Sequence, residues 1–192
     1  MTWAAVILTG GTGSRLGGVD KAAIEVGGQT LLARALVAVS GATEVVVVGP
    51  ATPTERAVTF TREEPPGGGP LAGVTTGVAA LATPAELVVL LAVDMPHVTA
   101  ATVDRLLAAA EGVDAAWLTD ASGRRQLAGV VRPSLVADLG ATHGVPMRVL
   151  MTSGESREVP AVGLEAADVD TRGDLADLAS GEVPGVAPTD RT

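Results

Sequence analysis

Lys21 is the one lysine among thirteen basic side chains, and arginine supplies the other twelve. It closes the stretch Leu8-Thr-Gly10-Gly11-Thr-Gly13-Ser-Arg15-Leu-Gly17-Gly18-Val-Asp20-Lys21, with five glycines between residues 10 and 18. Glycine leaves no Cβ in the way, so successive backbone N–H groups of such a loop can turn toward one anion. A lysine ammonium is a compact charge that can move between phosphate oxygens, whereas a guanidinium is a planar fork. Arg15 and Lys21 add charge to a concavity of donors, and the chemistry expected there is binding of a nucleoside triphosphate. Two other phosphate loops are excluded. G-x-G-x-x-G fails because Gly11-Thr-Gly13-Ser-Arg15 runs on into Leu16, and a Walker A loop fails because Gly18 precedes Val19. A second candidate is Asp94 in Leu91-Ala-Val-Asp94-Met-Pro96. A carboxylate at the C-terminal end of an apolar strand sits where open α/β sheets bind ligands, and magnesium needs one or two carboxylates beside substrate phosphates. The competing reading, a cap for the following helix, suits Thr99 better because Asp94 lies too far upstream.

The elements that must position these groups read as short Val/Leu-rich runs alternating with helical patterns, as in a parallel sheet covered on both faces. Strands are expected at 3–8, 44–48, 57–61, 87–93, 115–119 and 127–132, with 87–93 central because it is the most apolar. Helices are expected at 30–39, 70–81, 99–110, 134–139, 146–151 and 172–179, followed by a loose tail over 181–192. A chain of 192 residues suits one domain, placed at 1–180. Aromatic residues make up only 2% and the net charge is −9, which argues against a nucleic-acid partner, whose binding needs stacking platforms and basic grooves. Without cysteine there is no disulfide, zinc–thiolate site or thiol nucleophile. No apolar run approaches the roughly 18 residues of a membrane span, and no basic leader opens the chain. The expectation is a cytoplasmic protein with no membrane partner.

A third segment, Arg62-Glu63-Glu64-Pro-Pro-Gly67-Gly-Gly69-Pro70-Leu-Ala-Gly73, joins two carboxylates to a run of small residues. With it, the first string resembles the signature of the MobA-like nucleotidyltransferases, and its Gly17-Gly18-Val-Asp20-Lys21 ending is most similar to the molybdenum cofactor guanylyltransferase branch. The resemblance covers nearly the whole chain. It implies a three-layer α/β/α Rossmann-like nucleotidyltransferase fold with a mostly parallel central sheet. It implies nucleotide contacts from Leu8, Gly10, Gly11, Gly13, Lys21, Gly69, Gly73 and Asp94, with Arg15, Lys21 and Asp94 catalytic and Asp94 holding Mg2+. The segment Gly69–Gly73 would pack against guanine and ribose. A carboxylate usually precedes it, a role open here to Glu63 or Glu64. A carboxylate can accept from the guanine N1–H and 2-amino groups together, while cytosine offers only its 4-amino donor.

The implied reaction moves GMP from GTP to molybdopterin and releases pyrophosphate. The acceptor phosphate would attack the α-phosphorus in line, so the protein supplies positioning and charge. Gln126, Arg148, Asp168 and Asp170 match positions where the family binds this second substrate, the pterin phosphate. The family often has Asn where Asp168 and Asp170 stand, and Pro where Leu127 stands, which leaves the acceptor open. A transient partner enzyme delivering the pterin is also implied. The alternatives are a cytidylyltransferase on the same cofactor, a sugar-phosphate nucleotidyltransferase, or a non-catalytic nucleotide-binding module. His97 and His143 read as structural or solvent-exposed.

Overall fold

The Val, Leu and Ile runs become strands because β-branched and long aliphatic side chains suit a surface buried on both faces. The computed structural model describes residues 2–10 and 20–180. In chain order the elements are β1 (Trp3–Leu8), a 3-10 turn (Lys21–Ala23), β2 (Glu25–Val26), β3 (Gln29–Thr30), α1 (Leu31–Ala38), β4 (Val45–Val48), β5 (Thr59–Thr61), α2 (Pro70–Ala79), β6 (Leu87–Ala92), α3 (Ala100–Ala109), β7 (Ala115–Thr119), β8 (Arg125–Val131), α4 (Pro133–Ala137), α5 (Arg148–Met151), β9 (Ser156–Pro160) and α6 (Arg172–Ser180). The main sheet has the order β5-β4-β1-β6-β8-β7-β9, and β2 and β3 pair separately. Within the sheet only β8 runs antiparallel, to β6 on one side and β7 on the other.

Alternate residues of each strand feed opposite faces. Ile7, Val47, Val89 and Leu91 pack with α1 and α3 on one side. Val6, Leu8, Val48 and Leu90 pack with α2, α4 and α5 on the other. The molecule is therefore the expected three-layer α/β/α sandwich around a mostly parallel sheet. On the second face α2 lies very close to the sheet. A Cβ at Gly77 would overlap Val6 Cγ1 and lie 2.9 Å from Val48 Cγ2. Glycine there lets the helix axis approach, which brings the start of α2 to the C-terminal ends of β1 and β4. Thr99 caps α3 through a reciprocal bond with Thr102, as its position suggested.

Three elements were not expected. The pair β2–β3 has two residues per strand, too short to show a period. Edge strand β9 is polar, with Val159 its one buried residue, so its sequence reads as a loop. The 3-10 turn at Lys21 is set by Asp20, whose side chain accepts from Ala22 N at 3.0 Å. The strand expected at 57–61 is confined to β5, and β8 begins two residues earlier than expected because the turn from Asp120 is a tight hairpin.

Candidate functional site

β1 has β4 on one side and β6 on the other, so the chain leaves their C-terminal ends in diverging directions. That divergence opens the crevice in which such sheets bind ligands. Two cavities meet there. The larger, about 1010 Å³, lies over β1, β4 and the start of α2, and its wall includes Val48, Gly49, Pro50, Glu63, Glu64 and Gly69. The smaller, about 240 Å³, lies over β1 and β6 and is lined by Lys21, Asp94, Gln126 and Asp168 among others. Leu8, Gly10 and Pro70 line both.

The wall of the larger cavity is mostly backbone and small side chains. Gly69 has a φ of 88°, a conformation that favours glycine, and no side chain caps the start of α2. With Pro70 in the first turn, the free N–H groups at that end of the helix remain available to a ligand, and the helix dipole favours an anion. Of the two glutamates, Glu64 is exposed and Glu63 half-buried. Glu63 Oε2 is buried with no hydrogen-bond partner, a state that costs free energy until a donor arrives. His143, read above as structural or solvent-exposed, is exposed but its Nδ1 flanks the same spot. A Cβ at Gly68 would lie 2.7 Å from it and 2.9 Å from Glu63 Oε2.

In the smaller cavity Lys21 Nζ donates to Asp94 Oδ2 at 2.8 Å and to Asp170 Oδ1 at 2.7 Å. Asp94 directly follows β6 through Val93, whose N–H is held by Leu8 O. Asp170 arrives because Val169 N donates to Asp94 O at 2.8 Å. Burial alone would lower the pKa of Lys21, but the hydrogen bonds and negative charges of Asp170 and Asp94 outweigh it and hold it above its ordinary value. The carboxyl of Asp168 is shifted upward, first by loss of water around it and then by the charges of Asp170 and Asp94. Lys21 thus balances Asp170, one of the two acidic residues that stand where asparagine was expected. His97 is half-buried, and desolvation followed by the charge of Arg34 lowers its pKa, which favours a neutral imidazole.

Among the described residues, no three His, Asp or Glu side chains converge into a metal cage. Asp94 nevertheless fits a hard cation that draws its other ligands from phosphate and water. Its Oδ2 holds Lys21, and no hydrogen bond from the described residues occupies its Oδ1.

Leu8, Gly10, Lys21, Glu63, Glu64, Gly69, Gly73, Asp94, Gln126, Asp168 and Asp170 are thus gathered at one end of the sheet. Arg148 lines neither cavity and is exposed on α5. Gly11, Gly13, Arg15 and the tail from residue 181 lie outside the described residues. Sequence reasoning passed over Gly49-Pro50, although a Gly-Pro pair directly after a four-valine run marks a strand end facing the crevice.

Compared with known proteins, residues 5–158 match the model of the MobA-like NTP transferase domain. A molybdenum cofactor guanylyltransferase of Acidiphilium cryptum is 43% identical over 101 residues, which cover 48% of this chain and 50% of that protein. The match therefore spans half the length of that relative. A probable molybdenum cofactor guanylyltransferase of Natronomonas pharaonis is 30% identical over 142 residues, 69% of each chain. In structure, Rv0371C of Mycobacterium tuberculosis in complex with manganese superposes with a TM-score of 0.75 at 18% identity, covering 94% of this chain and 99% of that one.

Proposed function

The chain belongs to the family of MobA-like NTP transferase domains, and from that premise we propose that it transfers GMP from GTP to molybdopterin, releasing pyrophosphate. The observation that carries this reading is the meeting of two cavities along Leu8, Gly10 and Pro70, with Lys21 and Asp94 beside the shared rim. A nucleotide in the larger cavity would extend its phosphates across Gly10 toward Lys21, while the acceptor occupies the smaller one. Glu63 reads the base, because its carboxylate is enclosed and one oxygen lacks a donor. Lys21 leaves Asp94 for the phosphates, and its ammonium neutralises charge on the departing pyrophosphate. Arg15 and the amides of Gly11 and Gly13 complete the triphosphate cradle. The site holds the acceptor phosphate in line with the α-phosphorus, and an already anionic nucleophile needs no general base. Asp94 holds Mg2+, which when bound supplies charge neutralisation to the phosphate oxygens. The naming of relatives as guanylyltransferases and the manganese complex of a protein with the same fold support the reading. No described helix is long and apolar enough to cross a membrane. The reading includes a cytoplasmic location and a transient partner that delivers the pterin.

Pyrophosphate release with each of the four NTPs, magnesium and molybdopterin tests it. Release with GTP alone is expected. Release with CTP alone would make the protein a cytidylyltransferase; release with none would leave a sugar-phosphate nucleotidyltransferase, which a sugar phosphate in place of molybdopterin would reveal, or a nucleotide-binding module.

A further inference from the structure

Gln126 lies in β8, is 8% exposed and lines the smaller cavity. Its Nε2 donates to Asp120 Oδ2 at 3.0 Å and to the backbone oxygen of Arg124 at 3.1 Å. Both partners can only accept, a carboxylate on one side and a carbonyl on the other. The nitrogen must therefore sit between them, and the orientation of the amide follows from chemistry. A primary amide has two N–H donors, and both are spent. Oε1 carries the one remaining hydrogen-bonding capacity of Gln126, and no hydrogen bond from the described residues occupies it.

Asp120 is itself held rigidly. Its Oδ1 accepts from Ser122 N, Ser122 Oγ and Arg124 N, and its Oδ2 also accepts from Arg124 Nε at 3.2 Å. The tight turn between β7 and β8 is thus built around one carboxylate, which then reaches along β8 to Gln126.

We propose that Asp120 is a positioning residue that fixes Gln126 as an obligate hydrogen-bond acceptor, so that the smaller cavity reads an N–H donor of the acceptor substrate. The proposal rests on the reaction proposed above and deepens it. A phosphate monoester is mostly dianionic at neutral pH, with few protons to give Oε1, so Gln126 disfavours a phosphate and welcomes a donor-bearing ring. The reaction itself brings the acceptor phosphate to the shared rim, where it meets the α-phosphorus on the side opposite the pyrophosphate held by Lys21. The acceptor is therefore oriented with its phosphate at the rim and an N–H-rich heterocycle, such as a pterin with its amino and ring N–H groups, toward Gln126. The resemblance had assigned Gln126 to the pterin phosphate; its fixed polarity assigns it to the ring.

Asp120→Asn tests this. The three donors around Oδ1 pin the oxygen of the new amide there, so its nitrogen faces Gln126, donor against donor. Gln126 must turn or lose its fixed orientation, and the cavity loses its acceptor while the turn keeps its three bonds to Oδ1 and loses the one from Arg124 Nε. With GTP and molybdopterin, we expect KM for molybdopterin to rise roughly 10- to 100-fold and KM for GTP to stay within about twofold. In Asp120→Asn/Gln126→Glu both side-chain oxygens of residue 126 are acceptors whichever way it turns, so KM for molybdopterin should return toward wild type. An unchanged KM in Asp120→Asn, equal rises for both substrates, or no recovery in the double variant would overturn the proposal. A wild type that releases no pyrophosphate would instead sink the reaction. The side-chain amide of Gln126, followed by nitrogen-resolved NMR, still decides the polarity in that case. Two exchange-protected Nε2 protons in wild type are expected, and rapidly exchanging ones would refute it.

Discussion

The two cavities that meet at Gly10 are built by different means. The larger is walled by backbone, glycine and proline, and its shape depends on how close α2 can come to β1 and β4. The smaller sets charged and polar side chains among apolar ones such as Ala92, Met95 and Leu127, and the polar ones are held by a network: Lys21 by Asp94 and Asp170, and Gln126 by Asp120. A backbone-built cavity tolerates changes to many side chains and fails where a Cβ intrudes. A network-built cavity fails one partner at a time, because removing a member leaves another buried group unsatisfied.

The sharpest break in that contrast should come at the rim. Asp94→Asn removes the negative charge proposed to hold magnesium, and Lys21→Ala removes a charge-assisted contact of roughly 1.5–3 kcal/mol. Turnover in steady-state pyrophosphate assays should fall about 10²- to 10³-fold for Asp94→Asn and somewhat less for Lys21→Ala, with Lys21→Arg little better. Near-wild-type activity in Lys21→Arg would refute the role given to a compact ammonium.

On the backbone-built side, Gly77→Ala should destabilise the fold by about 1–3 kcal/mol, since the new Cβ meets Val6 and Val48. Urea denaturation measures this. GTP affinity should fall as well, because α2 moves off the sheet.

The reach of the sequence divides along the same line. A lone lysine announces the charge at the rim, and an aspartate after Leu91-Ala-Val announces the strand end. These signals are local and depend on residue types that are unusual for their surroundings. The network is not local. Lys21 and Asp170 are 149 positions apart, and no periodicity reports that Val169 is stitched to Asp94. Asp120 and Gln126 are close in sequence, yet only the hairpin geometry shows that the carboxylate fixes the amide. β9 escaped notice because one buried valine among polar residues makes no pattern.

Away from both cavities, a carboxylate held by α3 gives a pH signature. Glu165 accepts from the Thr102 hydroxyl at 2.6 Å and from Arg105 at 2.9 and 2.7 Å. Burial raises its pKa, but the bonds from Arg105, Thr102 and Val162 N outweigh this and set it at about 2 against an ordinary 4.5. A folded-state pKa below the unfolded one stabilises the protein above about pH 4.5, and that contribution is lost as pH falls toward about 2. Allowing for the partial exposure of Arg105, it is worth about 1–2 kcal/mol. Glu165→Gln should lower the thermal midpoint at pH 7 and flatten its dependence over that window.

The smallest effect should separate the two glutamates. Glu63→Gln should raise KM for GTP about fivefold, the loss of one charge-assisted bond, and Glu64→Gln should leave it unchanged. The reverse order would move base reading to the exposed residue.

A crystal structure with magnesium and a non-hydrolysable GTP analogue tests the division of the crevice most directly. The account predicts the base beside Glu63 in the larger cavity, phosphates crossing Gly10, and Lys21 Nζ moved from Asp94 to the phosphates. A base in the smaller cavity beside Gln126, or a Lys21 still bonded to Asp94 with the nucleotide in place, would contradict it.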